Sequence, residues 1–478
     1  MNLHVDSACP GGNALGFLPA ELLYHVMENL DKMTLSSCSL VAHDWLEIAR
    51  PLLFRVVNYC VQGEVQLAIH QTPPPLQDLL EFLAATPYIH SYIRQLSLTT
   101  EISRHTTLIL LRDHSCLRGA RLETLHAILK YTNRLQTLSV CNFVFEDPTS
   151  ALTHSPIADG PAIEYLDNLY LDYRFHLRFI DGGHYCKLLC LLDTLGKVDL
   201  QTRLVPPPDL EGWTGPLKRA REIRVNGMEA IRYFPLFDFD HVESFDIDQF
   251  RPVDFQQLGP FIQNAGKGLR HLGFYVHGHH LLEWYAPEPE LNQLTYLDSL
   301  DLSALRDLAS ISLALPIYIP TTDSADALFL GVYSVAYGFI IRTLSILSRT
   351  LCNITFQFEY TVVPVVLLMD ETEASLTGDD IKTDWLELDD SLVERITRGG
   401  LETVKFVLKG FQDKDVTRDC VKHALPRTCA TGAIQFTEPP EPQVHRVKVR
   451  IQAPHPRQDI SLNFHSTWKA CTGKVPLG

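Results

Sequence analysis

The feature that most constrains this chain is a short apolar signature that returns at nearly even intervals. It reads apolar, two residues, apolar, one residue, apolar. Examples are "LQTLSV" at 135, "LDNLYL" at 166, "LGKVDL" at 195, "AREIRV" at 220, "VESFDI" at 242, "LRHLGF" at 269 and "LDSLDL" at 297. Its last two apolar positions are two apart, the spacing of side chains on one face of a β-strand. Successive starts lie 31, 29, 25, 22, 27 and 28 residues apart, close to the period of about 20–29 residues for repeats made of one strand and one return segment. The signature also occurs as "IRQLSL" at 93, "LCNITF" at 351, "LETVKF" at 401 and "VHRVKV" at 444, with wider gaps of 42, 54, 50 and 43 residues. Apolar residues make up 46% of the chain, so three fixed positions fill by chance about one time in ten. The spacing therefore carries the argument.

Amphipathic stretches such as "LETLHAILKYTNR" (122–134) lie between the strand candidates, and alternation of helix, strand and loop is what a solenoid of strand–helix units needs. The expected fold class is α/β. Residues 58–478 resemble an irregular leucine-rich-repeat-like solenoid of alternating strands and helices, without that repeat's asparagine signature. An ordinary α/β domain with a parallel sheet fits the same pattern. "TPPPL" (72–76), "VPPPDL" (205–210) and "TEPPEPQ" (437–443) read as turns or linkers.

The residue between the last two apolar positions points to the opposite face of its strand. These residues are Ser97, Ser139, Tyr170, Asp199, Arg224, Asp246, Gly273, Asp301, Thr355, Lys405 and Lys448. Two positions further on, Asp172, Asn226, Asp248 and Tyr275 share that face. Exposed strand positions are polar in any soluble sheet. The sharper expectation is a target face formed by Tyr170, Asp172, Asp199, Arg224, Asp246, Asp248, Tyr275 and Asp301, whose acidic centre favours a basic or hydrogen-bonding segment. Exchanging Asp199, Asp246 and Asp301 for Asn would then weaken a basic ligand and its salt dependence.

The N-terminal stretch has a different character. In "LPAELLYHVMENL", Pro19 suits the first helical position and Glu21 the positive first turn. Leu22, Leu23, Val26, Met27 and Leu30 fall in one sector of roughly 140° on the helix. After "DKM", Thr34 is a candidate cap. Leu40, Val41, Trp45, Ile48 and Leu52 form a second helical stripe, with Pro51 marking a bend or stop. Two or three short helices in about 40 residues bury little of their own surface. Their apolar faces are covered either by the rest of the chain, as a cap, or by another protein.

"LPAELLYHVMENLDKMTLSSCSLVAHDWLEIARPLLF" closely resembles an F-box, over about a twelfth of the chain. The resemblance is carried by Leu18-Pro19, Glu21-Leu22-Leu23, Val26 and Leu30, Leu35, the run "CSLVAHDW", and Pro51-Leu52-Leu53-Phe54. "LEFLAATPYIHSYIRQLSL" (80–98) also resembles the segment that follows the box in many fungal F-box proteins. Ala42 stands where the family often has Cys, and His43-Asp44 where a basic residue is common. The resemblance implies an N-terminal three-helix F-box at 18–57 after a disordered tail at 1–17. It further implies docking onto the Skp adaptor of a cullin–RING ubiquitin ligase through Leu18, Pro19, Leu22, Leu23, Val26, Leu30, Leu35, Leu40, Val41, Trp45, Leu52 and Phe54. The chain would then be a non-catalytic substrate-recognition subunit, acting in ubiquitin-dependent degradation of a protein target. An adaptor-bound scaffold that ubiquitylates nothing, and an enzyme of unrecognised family with a helical cap, are the rival readings.

Charge and motif content narrow the other classes. The net charge of −16 argues against nucleic acid or an anionic membrane as partner. Ten acidic side chains and one basic one lie in residues 370–394, which read as a solvated acidic insertion. The first 17 residues lack a basic start and an apolar core, so no secretory leader is expected. The uncharged stretches 308–322 and 327–341 are short of the roughly 18–20 residues a membrane span needs. Eleven cysteines without framework spacing fit a reducing, cytoplasmic or nuclear compartment, in which the Asn353-Ile-Thr355 sequon is accidental.

No phosphate loop, dinucleotide fingerprint or nucleophile elbow is present. His277 and His279 in "HGHH" would supply half of a metal site without obvious partners. Cys186 and Cys190 share a helical face and read as core residues, and Asp379-Asp380 and Asp389-Asp390 as solvated acids. No cofactor, metal or catalytic residue is expected.

Overall fold

Chain order and strand order coincide in this protein. The computed structural model describes residues 19–62, 76–101, 120–143, 145–146, 160–173, 183–202, 217–227, 236–248, 258–259, 262, 268–275, 302, 305–317, 340–341, 343–345, 350–360, 385–409 and 414–438. Residues 1–437 form one unit and 438–478 a second, of which only Glu438 is described. The N-terminal tail, Leu18, His277, His279, Asp301, residues 370–384 and the "VHRVKV" motif with Lys448 lie outside the described residues.

The strands are β1 (Val56–Gln62), β2 (Gln95–Glu101), β3 (Ala120–Arg121), β4 (Thr137–Cys141), β5 (Phe145–Glu146), β6 (Ile163–Tyr173), β7 (Leu192–Thr202) and β8 (Lys218–Asn226). They continue as β9 (Phe237–Asp238), β10 (Ser244–Asp248), β11 (His271–Tyr275), β12 (Ser310–Ile317), β13 (Asn353–Tyr360), β14 (Thr403–Lys409) and β15 (Ile434–Thr437). Among the described residues, thirteen strands join one sheet in the order β1-β2-β4-β6-β7-β8-β10-β11-β12-β13-β14-β15, with β9 beside β8, while β3 and β5 form a separate pair. Every pairing in the large sheet is parallel.

Strands laid down in sequence by right-handed crossovers place every return segment on the same side of the sheet. That arrangement makes alternating strands sufficient: one face needs apolar residues and the other can remain wet. The pairing registers align the signature's second apolar position into one continuous row. It runs Val57, Leu96, Leu138, Leu169, Val198, Ile223, Phe245, Leu272, Ile311, Ile354, Val404, Ile434. A second row, two residues on, ends in stacked aromatics: Phe356 lies 5.4 Å from Phe406, and Phe406 lies 5.8 Å from Phe436. Both rows belong to one core, together with buried side chains of the helices α4 (Gln77–Ala85), α5 (Leu122–Tyr131) and α6 (Gly183–Cys190). Cys186 is buried in that core, as the sequence led us to expect.

Three further helices precede the sheet: α1 (Ala20–Glu28), α2 (Lys32–Cys38) and α3 (His43–Phe54). Asp31, rather than Thr34, caps α2; its carboxylate accepts from the Thr34 amide at 2.8 Å. Helix α3 continues through Pro51 to Phe54, and β1 begins after Arg55 alone. The sheet therefore starts at Val56, two residues before the boundary expected after residue 57.

Two other expectations are corrected. The strand after β11 is β12, where Ile311 pairs with Leu272 and Ser312 with Gly273. "LDSLDL" at 297 and "LASISL" at 308 both fit the signature. The second wins because its β-branched Ile suits a buried strand, whereas Asp is depleted there. Ser312 is therefore the residue paired with Gly273 in the polar row.

The acidic stretch also ceases to be a solvated insertion at residue 385. Helix α7 (Trp385–Thr397) buries Leu388 and Leu392 in the main core. Its Asp389 is fully buried. This carboxylate accepts from the Arg427 and Thr428 amides at 2.9 and 2.7 Å and from the Thr428 hydroxyl at 2.5 Å. It thereby satisfies the free amides at the start of α9 (Pro426–Ala430), the short helix that follows α8 (Lys414–Ala424). Asp390, beside it, pairs with the Arg427 guanidinium. Asp389→Ala is expected to destabilise the protein by about 2–3 kcal/mol, read as a lower urea midpoint, whereas Asp390→Ala changes it by under about 1 kcal/mol.

Candidate functional site

The face of the sheet opposite the main core carries a row of polar side chains between the two apolar rows; Ser139, Gly273 and Ser312 in it, and Asp172 and Asp248 two residues along, are buried, and its other members are half-buried or exposed. In register it runs Asn58, Ser97, Ser139, Tyr170, Asp199, Arg224, Asp246, Gly273, Ser312, Thr355, Lys405, Gln435. Asp172, Gln201, Asn226, Asp248 and Tyr275 lie two residues further along their strands, on the same face.

The centre of this face is a connected network. The Arg224 guanidinium donates twice to Asp248, from Nε to Oδ2 at 2.8 Å and from Nη2 to Oδ1 at 3.0 Å. The Gln201 amide nitrogen donates to Asp199 at 2.7 Å and also to Asp248 at 3.0 Å. Tyr170 donates to Asp172 at 3.0 Å. Arg224 also lies over the Tyr275 ring, 5.4 Å from its centroid, a favourable placement for a cation. Burial and the neighbouring Asp246 charge hold the Tyr275 phenol above its ordinary range. Burial pushes the Asp199 carboxyl up to about 6, against the pull of the Gln201 amide and of Arg224.

Gly273 has a specific reason to lack a side chain. A Cβ there would come within 1.9 Å of an Asp246 carboxylate oxygen and 3.0 Å of its Cγ. The Asp246 side chain thus occupies the space over the glycine, where the same oxygen meets His271 Nε2 at 3.3 Å. His271 makes a second contact through Nδ1 to the Ser310 hydroxyl at 2.7 Å.

Seven of the expected face residues come together here: Tyr170, Asp172, Asp199, Arg224, Asp246, Asp248 and Tyr275. The sequence argument missed Gln201 and His271. Both lie on the same face, two residues from Asp199 and Gly273 respectively, so the alternation rule applied in both directions would have found them. Three carboxylates, Asp199, Asp246 and Asp248, surround one arginine in this network, and that arginine is committed to Asp248. The arrangement is suited to binding donors and cations by charge-assisted hydrogen bonds. Among the described residues no three His, Cys, Asp or Glu side chains form a group able to hold a metal.

The N-terminal helices present a second surface. Leu23, Met27, Leu35 and Ala49 are buried in a small core of their own, with Leu30, Trp45 and Leu52 half-buried against it. Leu23 and Leu35 are thereby placed inside the module rather than on its surface, and Phe54 packs against the main core. Leu22, Val26, Met33, Leu40 and Val41 are left 52–76% exposed, and Pro19 is exposed beside them in sequence. Met33 escaped the sequence reading because it falls outside both apolar stripes.

The chain matches no protein-family model, and no curated protein matches it. Among the described residues no helix is long and apolar enough to cross a membrane.

Three variants test this description. Arg224→Met is expected to cost about 3–5 kcal/mol by stranding Asp248, and Arg224→Met/Asp248→Leu to recover most of that loss, measured by urea unfolding. Gly273→Ala should swing Asp246 away from His271 at a cost of about 1 kcal/mol or less, seen as an altered His271 imidazole signal in NMR.

Proposed function

We propose that this chain is a substrate-recognition subunit of a cullin–RING ubiquitin ligase. Its first three helices act as an F-box that docks on the Skp adaptor, and its parallel sheet is a leucine-rich-repeat-like solenoid that presents the open polar face to a protein target. The observation that carries this reading is the division of labour within α1–α3. A module this small spends Leu23, Met27, Leu35 and Ala49 on its own core and still exposes five large apolar side chains. Exposed apolar surface concentrated on one small module marks an interaction site, and the sequence around it resembles an F-box.

In this reading the docking side chains are Pro19, Leu22, Val26, Met33, Leu40 and Val41, while Leu23 and Leu35 support them from within. The acidic centre, with half-buried Asp199 and Asp246 beside the buried Asp248, suits a basic or donor-rich target segment. Residence in the cytoplasm or nucleus follows from the same proposal, since the ligase acts there.

The test is binding of purified chain to the Skp adaptor. Leu22→Ala/Val26→Ala/Leu40→Ala is expected to weaken binding at least about a hundredfold, since each large apolar side chain contributes roughly 1.5 kcal/mol or more when buried. Its unfolding midpoint should stay that of the wild type. A folded wild type that does not bind the adaptor would overturn the proposal.

A further inference from the structure

The charges on the open face are unevenly matched. Both directed donors of Arg224, Nε and Nη2, go to Asp248. Asp199 lies opposite Arg224 in the pairing register, yet its directed hydrogen bond comes from the neutral Gln201 amide. That same amide nitrogen also serves Asp248, so its two N–H groups are spent on two carboxylates and neither gains a charged donor from it.

The groups around Asp199 can be followed strand by strand among the described residues. Its own strand, β7, contributes Lys197 two residues before it, paired with Glu222 of β8 at 3.9 Å. Strand β6 contributes Tyr170 directly opposite, and Asp172. Strand β8 contributes Arg224, and β10 contributes Asp246 and Asp248. Beyond them, β11 supplies His271 and Tyr275. A half-buried acid whose directed partner is a neutral amide, with the nearest guanidinium hydrogen-bonded to another acid, relieves the cost of burying its charge most simply by taking a proton from solvent.

We propose that the Asp199–Gln201–Asp248–Arg224 cluster is a proton switch, by which mildly acidic conditions neutralise Asp199 and weaken the hold of the open face on a cationic target segment. This rests on the reading of that face as the target surface. The direction of the Asp199 shift, upward through burial, agrees with the geometry.

The sign follows from linkage. The folded protein binds this proton at a higher pH than an unfolded Asp does, near 3.9. Folding therefore takes up a proton between these limits, and the stability contributed by Asp199 falls as pH rises through them, levelling off above about 6. In Asp199→Asn that component is absent.

Two measurements test the switch on the 478-residue chain. The first is the urea midpoint of wild type and Asp199→Asn from pH 4.5 to 7.5. The gap between the two is expected to change across the acidic part of the range, and a constant gap would overturn the proposal. The second is the affinity of hexa-arginine, whose own charge is constant in this range, at pH 5 and 7.5 and fixed ionic strength. Wild type should bind about five- to tenfold more weakly at pH 5. Asp199→Asn should bind weakly at both pH values, and His271→Gln, which removes the neighbouring imidazole, should retain the pH response.

Equal wild-type affinity at both pH values, or an unchanged pH response in Asp199→Asn, would overturn the switch and leave the target surface standing. No hexa-arginine binding at either pH would overturn the target-surface reading, and the switch with it.

Discussion

Everything in this fold depends on the in-register parallel pairing of each strand with the one before it. One pairing error of a single residue would rotate every side chain of a strand to the other face. The continuous row from Val57 to Ile434 prevents this, because each new strand is registered by apolar side chains on a neighbour already in place. The polar row on the far face is then a consequence. Its residues are neighbours in space only because the apolar row fixes the offset between strands that are 22–31 residues apart in the region from β4 to β11.

The electrostatics of the open face follow from that enforced proximity. Asp172, Asp199, Asp246 and Asp248 come from three strands, with Asp246 and Asp248 on the same one. A free peptide carrying them would keep them solvated and apart. Held within one or two strand spacings of one another, they need internal donors: Tyr170 serves Asp172, Gln201 serves Asp199 and Asp248, and Arg224 serves Asp248, while His271 lies 3.3 Å from Asp246. The network is therefore supported from within at Asp199 and Asp248 without being neutral, and one buried Asp246 oxygen has no hydrogen-bond partner among the described residues. Burial raises the cost of ionising a carboxylate whose directed partner is neutral, and Asp199, served by the Gln201 amide, is such an acid.

Much of this architecture can be read in the sequence because the apolar signature and the strand period are the same physical fact. The strand core positions at Leu96, Leu138, Leu169, Val198, Ile223, Phe245, Leu272, Ile354 and Val404 all fall where the signature puts them. The failures have identifiable causes. Strand β15 has Thr431 where the signature wants its first apolar residue, and β1 uses Phe54 of a helix for that position. Strand β12 lost to a nearby copy of the same pattern. Asp389 was hidden by its acidic surroundings: composition identified a charged stretch, but only the partner amides at Arg427 and Thr428 reveal a buried cap. The roles of Gly273 and Gln201 depend on what lies across the strand, which no local pattern contains.

The junction between the first helices and the sheet has a further consequence. Only Arg55 separates α3 from β1, and it pairs with Glu28 of α1 at 3.1 Å. Lys32 of α2 donates to the Val56 carbonyl at 2.6 Å, and Arg50 of α3 lies over Tyr88. There is no slack at this joint, so the sheet works as a ruler whose zero is fixed to the helices. Neighbouring strands are about 4.8 Å apart, and Arg224 stands on the fifth strand after β1, roughly 24 Å along the sheet. Gain or loss of one strand unit between them would move the acidic centre by one graduation, about 4.8 Å, without altering either surface. Reach is thus set by the number of strands, independently of the chemistry at either end.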